Sequence, residues 1–400
     1  MSDFGFDLGR RLHEREQANL RRELTPAKAV APQTRFADDP KAGDVAFGEQ
    51  KVVFGANNYL GLANDDRVKR ATERAARTVG TGAGASRLVT GDTGVHRALE
   101  RDLADCKETE RALVFSSGYA ANIGTITALD PDVVFSDAHN HASIIDGCRL
   151  ADAETVVYDH CDAEALRSQM AERADTANDS EAWLVVTDSV FSMGGDVAPI
   201  EAICDAAADY GAWLLVDEAH ATGIFDDGGG IVQREGLSDR VDIQLGTLSK
   251  ALASQGGYVA GDGPLIEFLL NTARSFVFST GLAPPSAAAA RRALEIARTG
   301  DKRTQLWQNV ETLREGLEAM GYTIRGETHI LPVMLGDRET AMAVGDRLEA
   351  AGIAAPPIRP PTVPVGTSRI RVAPMATHTS ADLARCLDAF ERAGEEAGVL

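Results

Sequence analysis

The sequence predicts an α/β protein: a mainly parallel sheet flanked by helices, followed by a smaller C-terminal α+β unit. Three observations carry this. Between residues 111 and 245 short apolar runs alternate with helical stretches, the pattern of parallel strands joined by crossover helices. Beyond residue 300 that alternation gives way to a long helix, two strands, a helix and a strand. The 400 residues are 44% hydrophobic, enough to bury a substantial core in one large domain with an appended small one.

In chain order, residues 8–24 read as a charged amphipathic helix, and Pro26 and Pro32 then break the chain into an extended arm. A strand is expected at 51–54, a helix at 66–79, a glycine-rich loop at 80–88 and a helix at 95–107. Strands follow at 111–115, 133–136, 155–158, 183–187, 212–216 and 241–245. An alanine-rich helix at 286–298 leads out of the layer to a helix at 303–319, strands at 322–325 and 330–335, a helix at 338–351 and a strand at 368–373. The expected division is an N-terminal helix and arm over 1–50, a large domain over 51–290 and a small domain over 291–400.

Charge and cysteine content exclude several function classes. Sixty acids against 40 bases give a net charge of −20, with no basic surplus to neutralise a nucleic-acid backbone. The bases are 33 Arg and 7 Lys; acid excess with Arg in place of Lys predicts adaptation to high salt, which screens self-repulsion. No apolar run approaches the length of a membrane span, and residues 1–5 lack the basic and apolar regions of a signal peptide. Five scattered cysteines with no Cys-x-x-Cys pair fit reduced thiols rather than a disulfide framework. The expectation is a cytoplasmic protein with neither nucleic-acid nor membrane partner.

Lys250 is the only charged side chain from Ile243 through Gly261. A desolvated ammonium loses its proton readily, which makes an amine suited to a Schiff base. Thirty-three residues earlier, the apolar run 212–216 ends in Asp217. A strand-end acid with an isolated lysine downstream is what a pyridoxal phosphate site needs: the lysine holds the aldehyde and the carboxylate faces the pyridinium nitrogen. A lysine that lays its stem on apolar surface is the alternative.

Ligands of a parallel sheet collect beyond the carboxyl ends of its strands, and further candidates sit there. Ser117-Gly118-Tyr119 after the 111–115 strand forms a small-residue turn into a helix, suited to a phosphate, with an aromatic able to stack on a flat ring. His139 and His141 follow the 133–136 strand; with no third ligand nearby in sequence they do not make a zinc site, and a histidine over a cofactor ring suits the position better. Ser192 follows the 183–187 strand, and His220 lies just beyond Asp217. Thr247 and Ser249 flank Lys250 within reach of a phosphate. Asp217-Glu218-Ala219-His220 also looks like a helicase box, but the chain has no Gly-x-x-x-x-Gly-Lys-Ser/Thr loop. Arg371, in a strand behind a proline-stiffened loop, suits bidentate carboxylate recognition.

Taken together, Asn57-Asn58-Tyr59-Leu60-Gly61-Leu62, Ser117 to Asn122, His141-Ala142-Ser143, Val190-Phe191-Ser192-Met193, Asp217 to His220 and Thr247-Leu248-Ser249-Lys250 resemble, in order and spacing, the motifs of the α-oxoamine synthases. These are fold type I pyridoxal-phosphate enzymes of the aspartate aminotransferase-like class, which condense an amino acid with an acyl thioester and release CO2. Within that family, 358–364 is most similar to the biotin-pathway branch that joins L-alanine to a pimeloyl thioester; glycine-using relatives usually carry Tyr-Pro there. An aminotransferase would share the Lys and the Asp. The resemblance implies that Lys250 bonds the cofactor aldehyde, Asp217 pairs with the ring nitrogen, His141 stacks on the ring, and Ser192 and His220 contact its hydroxyl side. It further implies that Gly118, Tyr119 and Thr247 serve the phosphate, Arg371 and Asn57 the amino-acid carboxylate, and Arg21 and Thr362 the acyl substrate. It implies a homodimer with a shared site, Thr280 coming from the partner chain, and no metal.

Overall fold

A computed structural model describes residues 5–18, 20–41, 44–178 and 180–400. Its centre is a seven-stranded sheet in the order Arg111–Phe115, Gly257–Gly261, Ile243–Thr247, Trp213–Asp217, Trp183–Asp188, Val133–Asp137, Glu154–Tyr158. Six strands run parallel and one, Gly257–Gly261, runs antiparallel between Arg111–Phe115 and Ile243–Thr247. Most of the central strands are buried throughout, and their side chains divide between two apolar clusters, one on each face of the sheet. That is why they read as apolar runs rather than as alternation. The antiparallel strand escaped the sequence reading: it begins and ends in glycine, which weakens the strand signal.

Helix Gly118–Leu129 leaves the first strand with Ser117 as its cap, the hydroxyl accepting from the Ala120 N–H. Pro284 and Pro285 open helix Pro284–Arg298, as preset φ at a helix start allows. Beyond it, Thr323–Ile324, Leu331–Gly336, Ser368–Val372 and Pro357–Ile358 form a four-stranded antiparallel sheet. Helices Asp301–Met320, Arg338–Ala350 and Ser380–Ala397 accompany this sheet. The last was not foreseen, although Thr379 and Asp382 form a capping box.

A third sheet joins the N-terminal arm to the small unit: Gln33–Ala37 pairs with Phe47–Val53, which pairs in parallel with Ile353–Ala354. The helix expected over 8–24 is shorter, Leu8–Gln17. Its leucines Leu8 and Leu12 stay exposed and none of its residues is buried, so no packing extends it past the turn where the Leu20 N–H meets the Arg15 carbonyl. Among the described residues, no helix is long and apolar enough to cross a membrane.

Candidate active site

The carboxyl ends of the central strands open into a cavity of about 260 Å3. Residues from five separate stretches, expected to meet a cofactor, line it together: Gly118, Tyr119, His141, Ser192, Asp217, His220, Thr247 and Lys250. Asp217 ends the middle strand. Its Oδ2 accepts from Asn122 Nδ2 at 2.7 Å and its Oδ1 from the Ala219 N–H at 2.8 Å, so the carboxylate is fixed at the base of the pocket. Asn122 also donates to Ser143 Oγ at 2.9 Å. His141 caps helix Ala142–Leu150, its Nδ1 2.7 Å from Ser143 Oγ and its ring on the exposed side of the pocket.

Lys250 lies in the tight turn after Ile243–Thr247, where the Ala253 N–H bonds the Lys250 carbonyl. Burial lowers its pKa to about 8, against the opposing pull of Asp217 and Asp188, while Arg371 pushes the same way as burial. Nζ stands 2.7 Å from His220 Nε2. His220 Nδ1 in turn stands 2.7 Å from the Tyr59 hydroxyl, which Arg371 Nη2 contacts at 3.1 Å. Burial first, then the cations Lys250 and Arg371, drive the His220 pKa well below its ordinary value, so the imidazole is neutral. One chain of polar atoms thus runs from the lysine amine through imidazole and phenol to a guanidinium.

Arg371 is buried. Its Nε donates to the Ser192 carbonyl at 2.6 Å and its Nη2 to Asn57 Oδ1 at 2.9 Å, which places Asn57 beside it as the sequence suggested. At the Ser117–Gly118 turn, the Ala120 and Ala121 N–H groups are both taken by Ser117, leaving those of Gly118 and Tyr119 as the first-turn donors. The turn packs directly on the neighbouring strand: a Cβ on Gly257 would stand 2.5 Å from Gly118 N. Thr247 Oγ1 lies 2.8 Å from Ser249 Oγ.

Tyr119 does line the pocket, but its hydroxyl bonds Asp146. Arg21 is exposed on the arm, paired with Glu16 at 3.1 Å. Thr280 is exposed and bridges Ser86. Thr362 lines a second cavity, of about 630 Å3, that shares Ser192 with the first.

Several residues of the site went unread in the sequence. Asp188 ends its strand as Asp217 does, and the two are register partners. Asp188 carries the same signal, an acid closing an apolar run. Burial, then the neighbouring Asp217, raises its pKa well above the carboxylate range. Tyr59 lay inside a recognised motif. His329 gave no signal: it is fully buried, edge-on to Tyr59 at 4.2 Å between ring centroids, with neither ring nitrogen hydrogen-bonded among the described residues.

The model of the class I and II aminotransferase family matches residues 49–390. The chain belongs to that family. It is 43% identical to the 8-amino-7-oxononanoate synthase of Lysinibacillus sphaericus, covering 91% of this chain and 94% of that protein. It is 46% identical to the Geobacter sulfurreducens enzyme of the same name, over 89% and 92%. With 8-amino-7-oxononanoate synthase 2 of Bacillus subtilis the identity is 41% over 98% of each chain. These relatives place it among the α-oxoamine synthases. Among solved structures, Sphingomonas wittichii serine palmitoyltransferase superposes with a TM-score of 0.90 at 33% identity, covering 99% of this chain and 98% of that one. An 8-amino-7-oxononanoate synthase from Francisella tularensis, 24% identical with a TM-score of 0.71, shares the fold. The expected fold type I architecture, with a mainly parallel sheet and a smaller α+β unit, is the one observed.

Proposed function

We propose that this chain is a pyridoxal-phosphate-dependent synthase that condenses L-alanine with a pimeloyl thioester, releasing CO2 and free thiol and giving 8-amino-7-oxononanoate, as in biotin biosynthesis. The observation that carries the reading is the Lys250–His220–Tyr59–Arg371 chain opening onto the Asp217 pocket, in a protein 41–46% identical over most of its length to synthases of that name. The pocket fits pyridoxal phosphate. It pairs an amine with a carboxylate at its base, and sets unpaired first-turn amides against a wall that only glycine permits. When bound there, the cofactor supplies an electron sink for a carbanion at the amino acid's Cα.

The protein's own residues do the rest. Asp217, fixed by Asn122 and the Ala219 amide, holds a negative charge where the ring nitrogen sits. Lys250 takes the Cα proton; its amine is available near neutral pH because burial disfavours the ammonium. His220 accepts a hydrogen bond at Nε2 when Lys250 is protonated, its Nδ1–H then turning to the Tyr59 oxygen, and the reverse tautomer serves the neutral amine. Arg371 holds the amino-acid carboxylate beside Asn57. Arg21 and Thr362 serve the acyl substrate, and Thr280 joins the site from the second subunit of a homodimer. The protein acts in the cytoplasm.

Serine palmitoyltransferase is the second reading, favoured by the TM-score of 0.90. A thiol-release assay over alanine, serine and glycine, crossed with pimeloyl-CoA, acetyl-CoA and palmitoyl-CoA, decides. Alanine with pimeloyl-CoA is expected to turn over fastest and yield 8-amino-7-oxononanoate by mass. A preference for serine with palmitoyl-CoA, or for glycine with acetyl-CoA, replaces this reading, and transamination without thiol release refutes it. Lys250→Ala is expected to lose both the visible cofactor band and turnover.

A further inference from the structure

The second cavity, about 630 Å3, lies within the ordinary range of small-molecule sites and shares the lining residue Ser192 with the cofactor pocket. Its construction follows from one strand. Arg369 and Arg371, two residues apart on Ser368–Val372, lie on the same face of that strand. Both grip the turn after Trp183–Asp188: Arg371 Nε bonds the Ser192 carbonyl at 2.6 Å, and Arg369 Nη1 the Met193 carbonyl at 3.2 Å. Arg371 stands beside Asn57 and Tyr59 at the cofactor side. Arg369 lines the second cavity, together with exposed Arg325 and the Pro361–Pro364 loop that carries Thr362.

The charges of this cavity do not balance. His160 bonds Asp137 at 2.9 Å and Asp196 at 3.5 Å, and these carboxylates raise its pKa to about 11 against the cost of burial, so it is a cation. His139, stacked on it at 4.1 Å, stays neutral, its pKa lowered by burial and by His160. Three cations, Arg369, Arg325 and His160, therefore line the cavity with one carboxylate, Asp196, while Asp137 is buried and bonded to His160, in a chain whose net charge is −20. Arg369 is 8% exposed, and among the described residues its side chain bonds only backbone carbonyls, those of Thr367 and Met193. Its pKa is lowered because burial and the like charge of Arg325 outweigh Asp196. A buried guanidinium in that state gains from an anion.

We propose that this cavity takes the acyl chain of the thioester and that Arg369 and Arg325 receive a carboxylate at the end of that chain, selecting a dicarboxylic acyl group over a fatty one. The inference rests on the reading of function above and adds to it the residues that set acyl specificity.

The test measures kcat/KM for pimeloyl-CoA and heptanoyl-CoA, equal in length but differing in the terminal carboxylate, with alanine and the cofactor-loaded enzyme. The wild type is expected to prefer pimeloyl-CoA. Arg325→Gln, at an exposed position the fold does not need, is expected to lower the pimeloyl-to-heptanoyl ratio by roughly 10- to 100-fold, the range for a charge-assisted hydrogen bond. Arg369→Gln is expected to do the same, with the visible cofactor band reporting whether its turn survives. An unchanged ratio in Arg325→Gln overturns the proposal. So does an equal fall for both substrates, which would assign the anion to the phosphates of CoA. Thiol release with a wild-type preference for heptanoyl-CoA sinks this inference alone, whereas no thiol release from either substrate sinks the reading of function with it.

Discussion

Two carboxyl groups close neighbouring strands at the base of the pocket, and replacing each by its amide separates their roles. Asp217 receives two hydrogen bonds, from Asn122 Nδ2 at 2.7 Å and the Ala219 N–H at 2.8 Å. Among the described residues, the Asp188 carboxyl receives one, from the His141 N–H at 3.1 Å. Both are buried and they are register partners, so two charges side by side are strongly disfavoured. Asp217 has the hydrogen bonds that favour a charged oxygen, whereas burial and then the neighbouring Asp217 raise the Asp188 pKa well above the carboxylate range. Asp217→Asn removes the anion and turns an amide toward the Asn122 amide. Losing one buried electrostatic partner of a developing charge costs about 3–4 kcal/mol, roughly 100- to 1,000-fold in rate. Asp188→Asn swaps a neutral acid for a neutral amide of the same shape whose oxygen still accepts from His141, and is expected to stay within about threefold, under 1 kcal/mol. The assay is exchange of the alanine α-proton into heavy water, followed by NMR, with cofactor content measured alongside. Equal losses in the two variants, or a loss above about 100-fold in Asp188→Asn alone, would refute the division of roles.

Three further outcomes are expected. His329 is held neutral, its pKa lowered to about 3 chiefly by burial. A depressed histidine contributes stability that is present above its unfolded value of roughly 6.5 and is lost as pH falls toward 3, at up to about 1.4 kcal/mol per pH unit. Urea unfolding from pH 7 to 5 should show this slope, and His329→Leu should reduce it, His220 and His378 contributing the remainder with the same sign. Lys107 and Glu218 form a fully buried ion pair at 2.6 Å, one residue from Asp217. Lys107→Met leaves Glu218 unpaired and should cost about 3–5 kcal/mol in denaturant melts, most of it recovered in Lys107→Met with Glu218→Gln. The net charge of −20 predicts that stability falls as KCl is lowered below about 0.5 M; a melting temperature unchanged over that range would contradict salt adaptation.

Much of the site was legible because its chemistry is local. An acid closing an apolar run marks Asp217, a lysine alone among 19 residues marks Lys250, and a small-residue turn marks Gly118, and all three line one pocket. The same logic, applied evenly, would have found Asp188. His329 was illegible in principle: a single histidine between polar and apolar neighbours matters only because Tyr59 and Trp307 close around it. The 8–24 helix was overextended for the opposite reason. Amphipathic spacing states that a helix has an apolar face, not that anything covers it, and Leu8 and Leu12 remain exposed.

The sequence by itself determined the α/β class, the strand ends that carry chemistry, and the amine, acid and anion turn of the cofactor site, since each is a property of a few consecutive residues. Tertiary structure decided the rest. It inserted an antiparallel strand bounded by glycines into the sheet and tied the N-terminal arm to the small unit through Ile353–Ala354. It linked Lys250 to Arg371 through His220 and Tyr59, residues spread over 313 positions. Such contacts depend on which strand lies beside which, and on how much water and charge each side chain meets there; no local pattern encodes either.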